Sequence, residues 1–161
     1  MGTLLANTIA FQPSFDVLLT SSQPRGEQIM ASGQNDASVL LIRAEDAAGF
    51  AISSIKVGDP FNVVADYQVG SNVMQVVKDV TLMVSINNIT QLKAVFKKDK
   101  TDPLTAVQKL TPYKSTITLA VPANWMADEG DILDIKATFK VVAGVLSDFS
   151  TAVAAPVVVE T

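Results

Sequence analysis

The chain has 161 residues, no cysteine and no histidine, and its net charge at pH 7 is −4. Because there is no cysteine, disulfides and thiolate zinc sites are excluded. Because there is no histidine, catalytic triads built on histidine are excluded as well. The acidic balance disfavours nucleic-acid binding, which depends on Lys and Arg to neutralise phosphates.

Residues 1–36 are predicted to form an extended N-terminal arm in front of a sandwich domain at residues 37–161. The apolar side chains of the arm are scattered among Gln, Ser, Asn, Pro and Gly. We expect the arm to pack on its own sandwich or on a neighbouring copy, since a terminal segment stays ordered only when something holds it. The first seven residues lack the basic and apolar regions of a secretory signal. No apolar run approaches the ~20 residues that a membrane-spanning helix needs, and the sequence indicates no compartment.

From residue 38 onward, apolar and polar residues alternate with the period of a half-buried strand. In the clearest segment, residues 134–141, four inner side chains alternate with polar ones: Ile135, Ala137, Phe139 and Val141. Turn residues divide the rest into about seven predicted strands, namely 38–46, 60–69, 74–86, 89–98, 104–121 with an interruption near Pro112, 131–143 and 145–159. Short strands at this spacing, with no amphipathic helix between them, predict an all-β fold, an antiparallel β-sandwich.

One segment departs from the alternating period. Residues 122–131 contain Pro122 at their start and Gly130 near their end. Proline suits the first turn of a helix and glycine its left-handed end. A single helical turn is therefore predicted between two strands.

The run from Ile55 to Val63 contains Gly58-Asp59-Pro60, and Gly130-Asp131 precedes an alternating strand. In this, residues 38–159 resemble bacterial immunoglobulin-like and fibronectin-like domains, in which a Gly-Asp pair commonly precedes a core strand. The resemblance implies an immunoglobulin-like sandwich. The chain departs from antibody domains because it has no cysteine pair, Trp125 lies in a connection, and no tyrosine precedes the penultimate strand. A jelly roll or another Greek key therefore stays an alternative.

Acidic residues supply the candidates for metal binding and for catalysis. Asp128, Asp131 and Asp134 lie near Trp125 and could offer oxygen ligands to calcium. The spacing of a calcium loop is missing, so the competing interpretation is a solvated turn in which Asp caps backbone N–H groups. Paired carboxylates could also hydrolyse glycosides if they met across a cleft, and the pairs considered are Glu45 with Asp46 and Asp59 with Asp66.

Trp125 and Tyr67 are the candidate ligand-binding residues, together with Met126 and Tyr113. Their rings could form a platform for the apolar faces of sugars. The competing interpretation is that Trp125 closes one end of the sandwich.

Four lysines lie close together: Lys93, Lys97, Lys98 and Lys100. They could bind an anionic glycan or a membrane surface. Lysines also protect an exposed edge strand against unwanted pairing, and this second interpretation is the favoured one.

The favoured function is a non-catalytic structural or interaction protein, a repeated subunit of a homo-oligomer or of a larger virion or cell-surface assembly. The predicted partners are copies of itself or other assembly proteins. The segment from Ala152 to Val159 is more apolar than one core face requires, and surplus apolar surface usually has a partner. The alternative is a carbohydrate-binding β-sandwich module with a glycan partner, and the third hypothesis is a hydrolase. No motif for a cofactor is present.

Overall fold

The computed structural model describes residues 36–108 and 110–161. The predicted arm lies outside the described residues except for Asp36. Among the described residues there are nine strands and one short helix: β1 (Ala37–Glu45), β2 (Ser54–Lys56), β3 (Phe61–Val69), α1 (Ser71–Met74), β4 (Val77–Asn88), β5 (Lys93–Pro103), β6 (Tyr113–Val121), β7 (Ile132–Ala143), β8 (Leu146–Val153) and β9 (Val157–Glu160).

The strands form two sheets. The smaller sheet has three strands in the order β1-β3-β6, and the larger has six in the order β2-β9-β7-β4-β5, with β8 also paired to β7. All pairings are antiparallel except that of β2 with β9, which is parallel. The predicted antiparallel β-sandwich is confirmed.

The strand order places β1, β3 and β6 in one sheet and β5, β4, β7 and β8/β9 in the other. The short strand β2 crosses from the β1 side to pair with β9. The connections between β3 and β4 and between β6 and β7 therefore pass from one sheet to the other.

The core lies between the sheets and follows from the alternating sequence pattern. Val63, Ala65 and Val69 of β3 are buried, and so are Ile135 and Phe139 of β7. Their neighbours along each strand point outward, because successive side chains of a strand lie on opposite faces. Tyr67 stacks on Phe139 across the two sheets, with ring centroids 4.7 Å apart. The four inner residues predicted for segment 134–141 are all buried.

Side-chain hydrogen bonds connect the sheets along both long sides. On one side, the backbone N–H of Ala37 donates to Asp148 Oδ2 at 2.7 Å, and that of Val39 donates to Ser150 Oγ at 3.2 Å. On the other side, Lys100 Nζ donates to the carbonyl of Thr118 at 3.2 Å. These contacts give polar partners to strand edges that have no neighbour among the strands the structure describes.

Several predicted boundaries are wrong. The predicted strand 145–159 is two strands, because Pro156 has no N–H for a continuous ladder and residues 154–156 separate β8 from β9. In the predicted strand 104–121, only Tyr113–Val121 is a strand. The predicted strand 89–98 begins at Lys93 and continues to Pro103, since residues 89–92 form a turn. Strand β2 was not predicted.

The one helix among the described residues lies at a different place from the predicted helical turn. Residues 122–131 contain no helix, because Asn124 has a φ of +73°, outside the right-handed helical region. The Asn124 N–H donates to the Gly58 carbonyl at 3.0 Å and holds the loop in place. Ser71–Met74, where a turn and the start of a strand were predicted, is a single helical turn closed by the Met74 N–H donating to the Gly70 carbonyl at 3.0 Å.

The sandwich has two ends, which carry different connections. One end is formed by residues 46–53, 57–60, 89–92 and 122–131, and we call it the Trp125 end. The helix end contains Asp36, α1 and residues 144–145, together with the described part of the connection from β5 to β6. Strand β4 runs from the helix end to the Trp125 end over 12 residues, a length of roughly 40 Å.

Phe139→Ala is expected to lower the free energy of unfolding by about 3–5 kcal/mol, because the ring is fully buried and its removal leaves a cavity. The matched control is Phe149→Ala on the paired strand, where the ring is more than half exposed. We expect that control to change stability by no more than about 0.5 kcal/mol. Chemical denaturation measures both values, and equal losses would contradict the assignment of the core.

Candidate functional site

Trp125 closes one end of the sandwich. Only 6% of the residue is exposed. Its Nε1 donates to the carbonyl of Asp59 at 2.7 Å, and its ring meets that of Phe61 edge to face with centroids 6.1 Å apart. The indole N–H is thus satisfied within the protein, as is usual for a buried tryptophan.

Tyr67 lies in the core near the opposite end of β3. It is 3% exposed and packs between Phe139 and Tyr113. Burial raises the pKa of its hydroxyl, while a hydrogen bond with Ser115 acts in the other direction. The two predicted ligand-binding residues are therefore buried and separated by most of the length of β3. Their role in binding stays a prediction, and it would require a ring to leave the core.

A buried carboxylate, Asp131, organises the loops of the Trp125 end. Asp131 is 4% exposed, and its Oδ2 accepts three hydrogen bonds. The donors are Asn88 Nδ2 at 2.6 Å, Gln91 Nε2 at 2.8 Å and the backbone N–H of Asp128 at 2.7 Å. One side chain therefore ties the β4–β5 turn to the β6–β7 connection. Hydrogen bonds to a carboxylate are short and directional, so three of them hold the Asp131 side chain in one position.

The predicted metal candidates are only partly brought together. Gln91 Nε2 also donates to Asp128 Oδ2 at 2.6 Å, so Asp128 and Asp131 share one donor. Asp134 instead pairs with Lys136, with Oδ2 and Nζ 3.0 Å apart. Within residues 36–108 and 110–161, no three His, Cys, Asp or Glu side chains are grouped closely enough to hold a metal ion. The metal assignment stays a prediction.

Three of the other acidic candidates, Glu45, Asp46 and Asp66, have identifiable structural partners. Arg43 forms ion pairs with both Glu45 and Asp66 on the outer face of the smaller sheet. Asp46 Oδ1 accepts the backbone N–H groups of Ala48 and Phe50, both at 2.9 Å, and so closes its own turn. Glu45 and Asp66 thus meet through an arginine that separates their charges.

The lysines suggested by the sequence lie on or next to the free edge of the larger sheet. Lys97, Lys98 and Lys100 are exposed on β5, whose one partner among the described strands is β4. Lys98 and Lys100 lie opposite the buried residues Val84 and Leu82, so they stand on the inner face of the edge strand. Inward-pointing charges are a known means of preventing edge-to-edge pairing. This geometry favours the protective interpretation.

The turn between β4 and β5 presents apolar side chains to solvent at the Trp125 end. Leu92 is 91% exposed and has a φ of +54°, and Ile89 in the same turn is also exposed. A leucine in the left-handed region costs about 1 kcal/mol or more. The turn is nevertheless well held, since the Ile89 N–H donates to the Ile132 carbonyl and the Ile132 N–H to Thr90 Oγ1.

A second apolar feature lies at the helix end. A groove with a volume of about 440 Å³ opens between α1 and the β7–β8 hairpin. Its lining includes Val73, Val76, Val141, Ala143, Leu146 and Asp148. Leu146 is 71% exposed and Val76 is 56% exposed, so the groove has an apolar rim as well as an apolar floor. The adjoining Val145 is fully exposed in a tight turn behind Gly144.

Sequence reasoning missed both apolar features. It placed the surplus apolar surface at residues 152–159, where Val153 and Val158 are indeed exposed but Ala154, Val157 and Val159 are buried. The available signal was an apolar residue inside a turn, as at Leu92 and Val145, where polar residues or glycine are usual.

Asp131→Ala is expected to lower the free energy of unfolding by about 2–3 kcal/mol, because it leaves the buried amide of Asn88 without its acceptor. Glu129→Ala, an exposed acid in the same loop, is the control and should change stability by at most about 0.5 kcal/mol. Thermal unfolding with and without calcium adds a second readout. A rise in midpoint with calcium that Asp131→Ala abolishes would establish the metal site instead.

Stability is expected to fall at alkaline pH because the pKa of Tyr67 is raised in the folded state. The unfolded tyrosine ionises near pH 10. Below the unfolded pKa, the contribution of the protonated Tyr67 to the free energy of unfolding is fully present. That contribution is lost as pH rises from the unfolded pKa through the folded one, because the unfolded tyrosine gives up its proton first. Denaturation at a series of pH values should show a steeper loss for the wild type than for Tyr67→Phe. Parallel curves would contradict the prediction.

Among the residues that the structure describes, no helix is long and apolar enough to cross a membrane. No protein-family model matches the sequence, and no curated protein is significantly similar to it. The strand order establishes the architecture of the described chain and does not identify its function. Because one sandwich architecture supports many unrelated functions, function has to be inferred from the surfaces at its two ends.

Proposed function

We propose that this protein is a non-catalytic structural subunit that works by repeated association with copies of itself in a larger assembly. The observation that carries the proposal is the position of its exposed apolar side chains. Large ones project from connections and strand ends at both ends of the sandwich: Leu92, Met126 and Phe50 at the Trp125 end, and Val76, Val145 and Leu146 at the helix end.

The energetic argument concerns the cost of leaving these side chains in water. Burying an exposed leucine or valine is worth about 1.5–3 kcal/mol. Single exposed apolar residues are common on protein surfaces, but several at one place indicate a site of interaction. Leu146 and Val76 share the rim of one groove, and Ile89 and Leu92 share one turn of four residues.

The loops at the Trp125 end are also held in one conformation before any partner binds. The network around Asp131 joins Asn88, Gln91 and Asp128 through hydrogen bonds of 2.6–2.8 Å. A surface that is already ordered loses less conformational entropy on binding. Rigid apolar projections of this kind suit association between proteins.

The carbohydrate-binding alternative has less support. Sugar platforms need exposed ring faces, whereas Trp125 and Tyr67 are buried. The proposed settings for an assembly of repeated subunits are a virion or a cell surface, with other assembly proteins as further partners.

Sedimentation or light scattering over a range of concentrations tests the proposal. We expect the average mass to rise above that of one chain, 17.1 kDa, between low and high micromolar concentration. Because the contacts are apolar, added salt should maintain or strengthen the association. A monomer at several hundred micromolar in both low and high salt would contradict the proposal.

A further inference from the structure

We propose that the copies associate head to tail, with the Ile89–Leu92 turn of one copy seated in the groove at the helix end of the next. This inference rests on the proposed function and names the two surfaces that meet. We call the Ile89–Leu92 turn the knob. The groove is the one whose rim carries Val76, Leu146 and Asp148.

The knob has the features of an anchoring side chain on a rigid support. Leu92 is almost wholly exposed and keeps a φ of +54°, which costs a leucine free energy that a glycine would not lose. The Gln91 N–H donates to Asn88 Oδ1 at 3.0 Å, and its side-chain amide reaches Asp128 and Asp131. The turn therefore projects Leu92 without any contact of its own that explains the choice of an apolar residue there.

The groove is complementary to the knob in chemistry. Val73, Val76, Ala143 and Leu146 give it apolar walls around a volume of about 440 Å³. The side chains that contribute most to binding lie in well-packed pockets from which water is excluded. A leucine and an isoleucine from one turn match this surface.

Charges beside the two surfaces are complementary as well. Lys93 follows Leu92 directly, is exposed and pairs with no described carboxylate. Asp148 lies on the lining of the groove, and its two oxygens accept only backbone N–H groups, from Ala37 at 2.7 Å and from Phe149 at 2.8 Å. Seating Leu92 in the groove would bring a positive charge towards a negative one, which favours the correct orientation.

The knob and the groove cannot meet within one copy, since they lie at opposite ends of β4, which has 12 residues. Each copy offers one knob and one groove, so the contact is heterologous. Heterologous contacts form closed rings or open filaments and not simple twofold dimers.

The competing occupant of the groove is the chain's own residues 1–35, because the described chain begins beside the groove. The Gly70 N–H donates to the Asp36 carbonyl at 2.8 Å, next to α1, and Ala37 is bonded to Asp148. The charge match with Lys93 and the exposed apolar knob favour a second copy.

Two variants of the full chain test the inference. Leu92→Gly removes the knob and relieves the positive φ, so its unfolding midpoint should equal or exceed that of the wild type. Leu146→Asp places a charge on the rim of the groove at an exposed position. Each variant alone is expected to have the mass of one chain at concentrations where the wild type associates, with a dissociation constant raised at least tenfold.

An equimolar mixture of the two variants is the decisive measurement. The first variant keeps a working groove and the second a working knob, so together they should form a dimer that grows no further. Val153→Asp, at an exposed position outside both surfaces, is the control and should associate like the wild type. If Leu146→Asp fails to fold by circular dichroism, Val76→Asp replaces it.

The outcomes separate the two proposals. Association of either single variant at wild-type strength, or a mixture that stays monomeric, would overturn the head-to-tail contact while leaving assembly itself intact. Loss of association in Leu146→Asp but not in Leu92→Gly would assign the groove to residues 1–35 or another surface of a neighbouring copy and would overturn the role of the knob. A monomeric wild type would overturn both proposals.

Discussion

Burial of one face of each sheet against the other is the interaction on which the rest of the structure depends. The rings of Phe139 of β7 and Tyr67 of β3 meet across this interface, with centroids 4.7 Å apart. With no disulfide available, apolar burial supplies the main favourable free energy. It also sets the register of each strand, because a slip of one residue would turn the buried set towards water.

Side-chain hydrogen bonds bridge the two sheets along the long sides of the sandwich. Its two ends have to be covered by the connections between strands. At the Trp125 end this is done by Trp125 itself, which covers the core and bonds to Asp59, and by the polar network around Asp131. Buried polar groups are almost always hydrogen-bonded, because leaving them without a partner costs free energy. Satisfying that demand also makes the end rigid, and a rigid end can carry exposed apolar side chains such as Leu92.

Residues 36–108 and 110–161 cover the helix end less completely. The single turn of α1 and the β7–β8 hairpin leave a groove between them, whose floor includes the buried Val141. An apolar projection at one end and an apolar groove at the other make the sandwich directional. Directional subunits can extend an assembly indefinitely or close it into a ring, depending on the rotation between neighbours. This is the physical basis on which a small sandwich would work as the building block that we propose.

The alternation of apolar residues by itself indicated the all-β fold and the inward faces of β3 and β7, and the composition excluded histidine- and cysteine-based chemistry. These are local properties, since the period of two directly gives the two faces of a strand. Only the tertiary structure decided which acidic and aromatic residues meet. Asp131 joins Asn88 and Gln91, which lie about 40 positions earlier in the chain, and Trp125 is buried by Phe61 and not displayed. Whether Leu92 and Leu146 face water also depends on how distant strands pair, because exposure is a property of the packed whole and no local pattern encodes it.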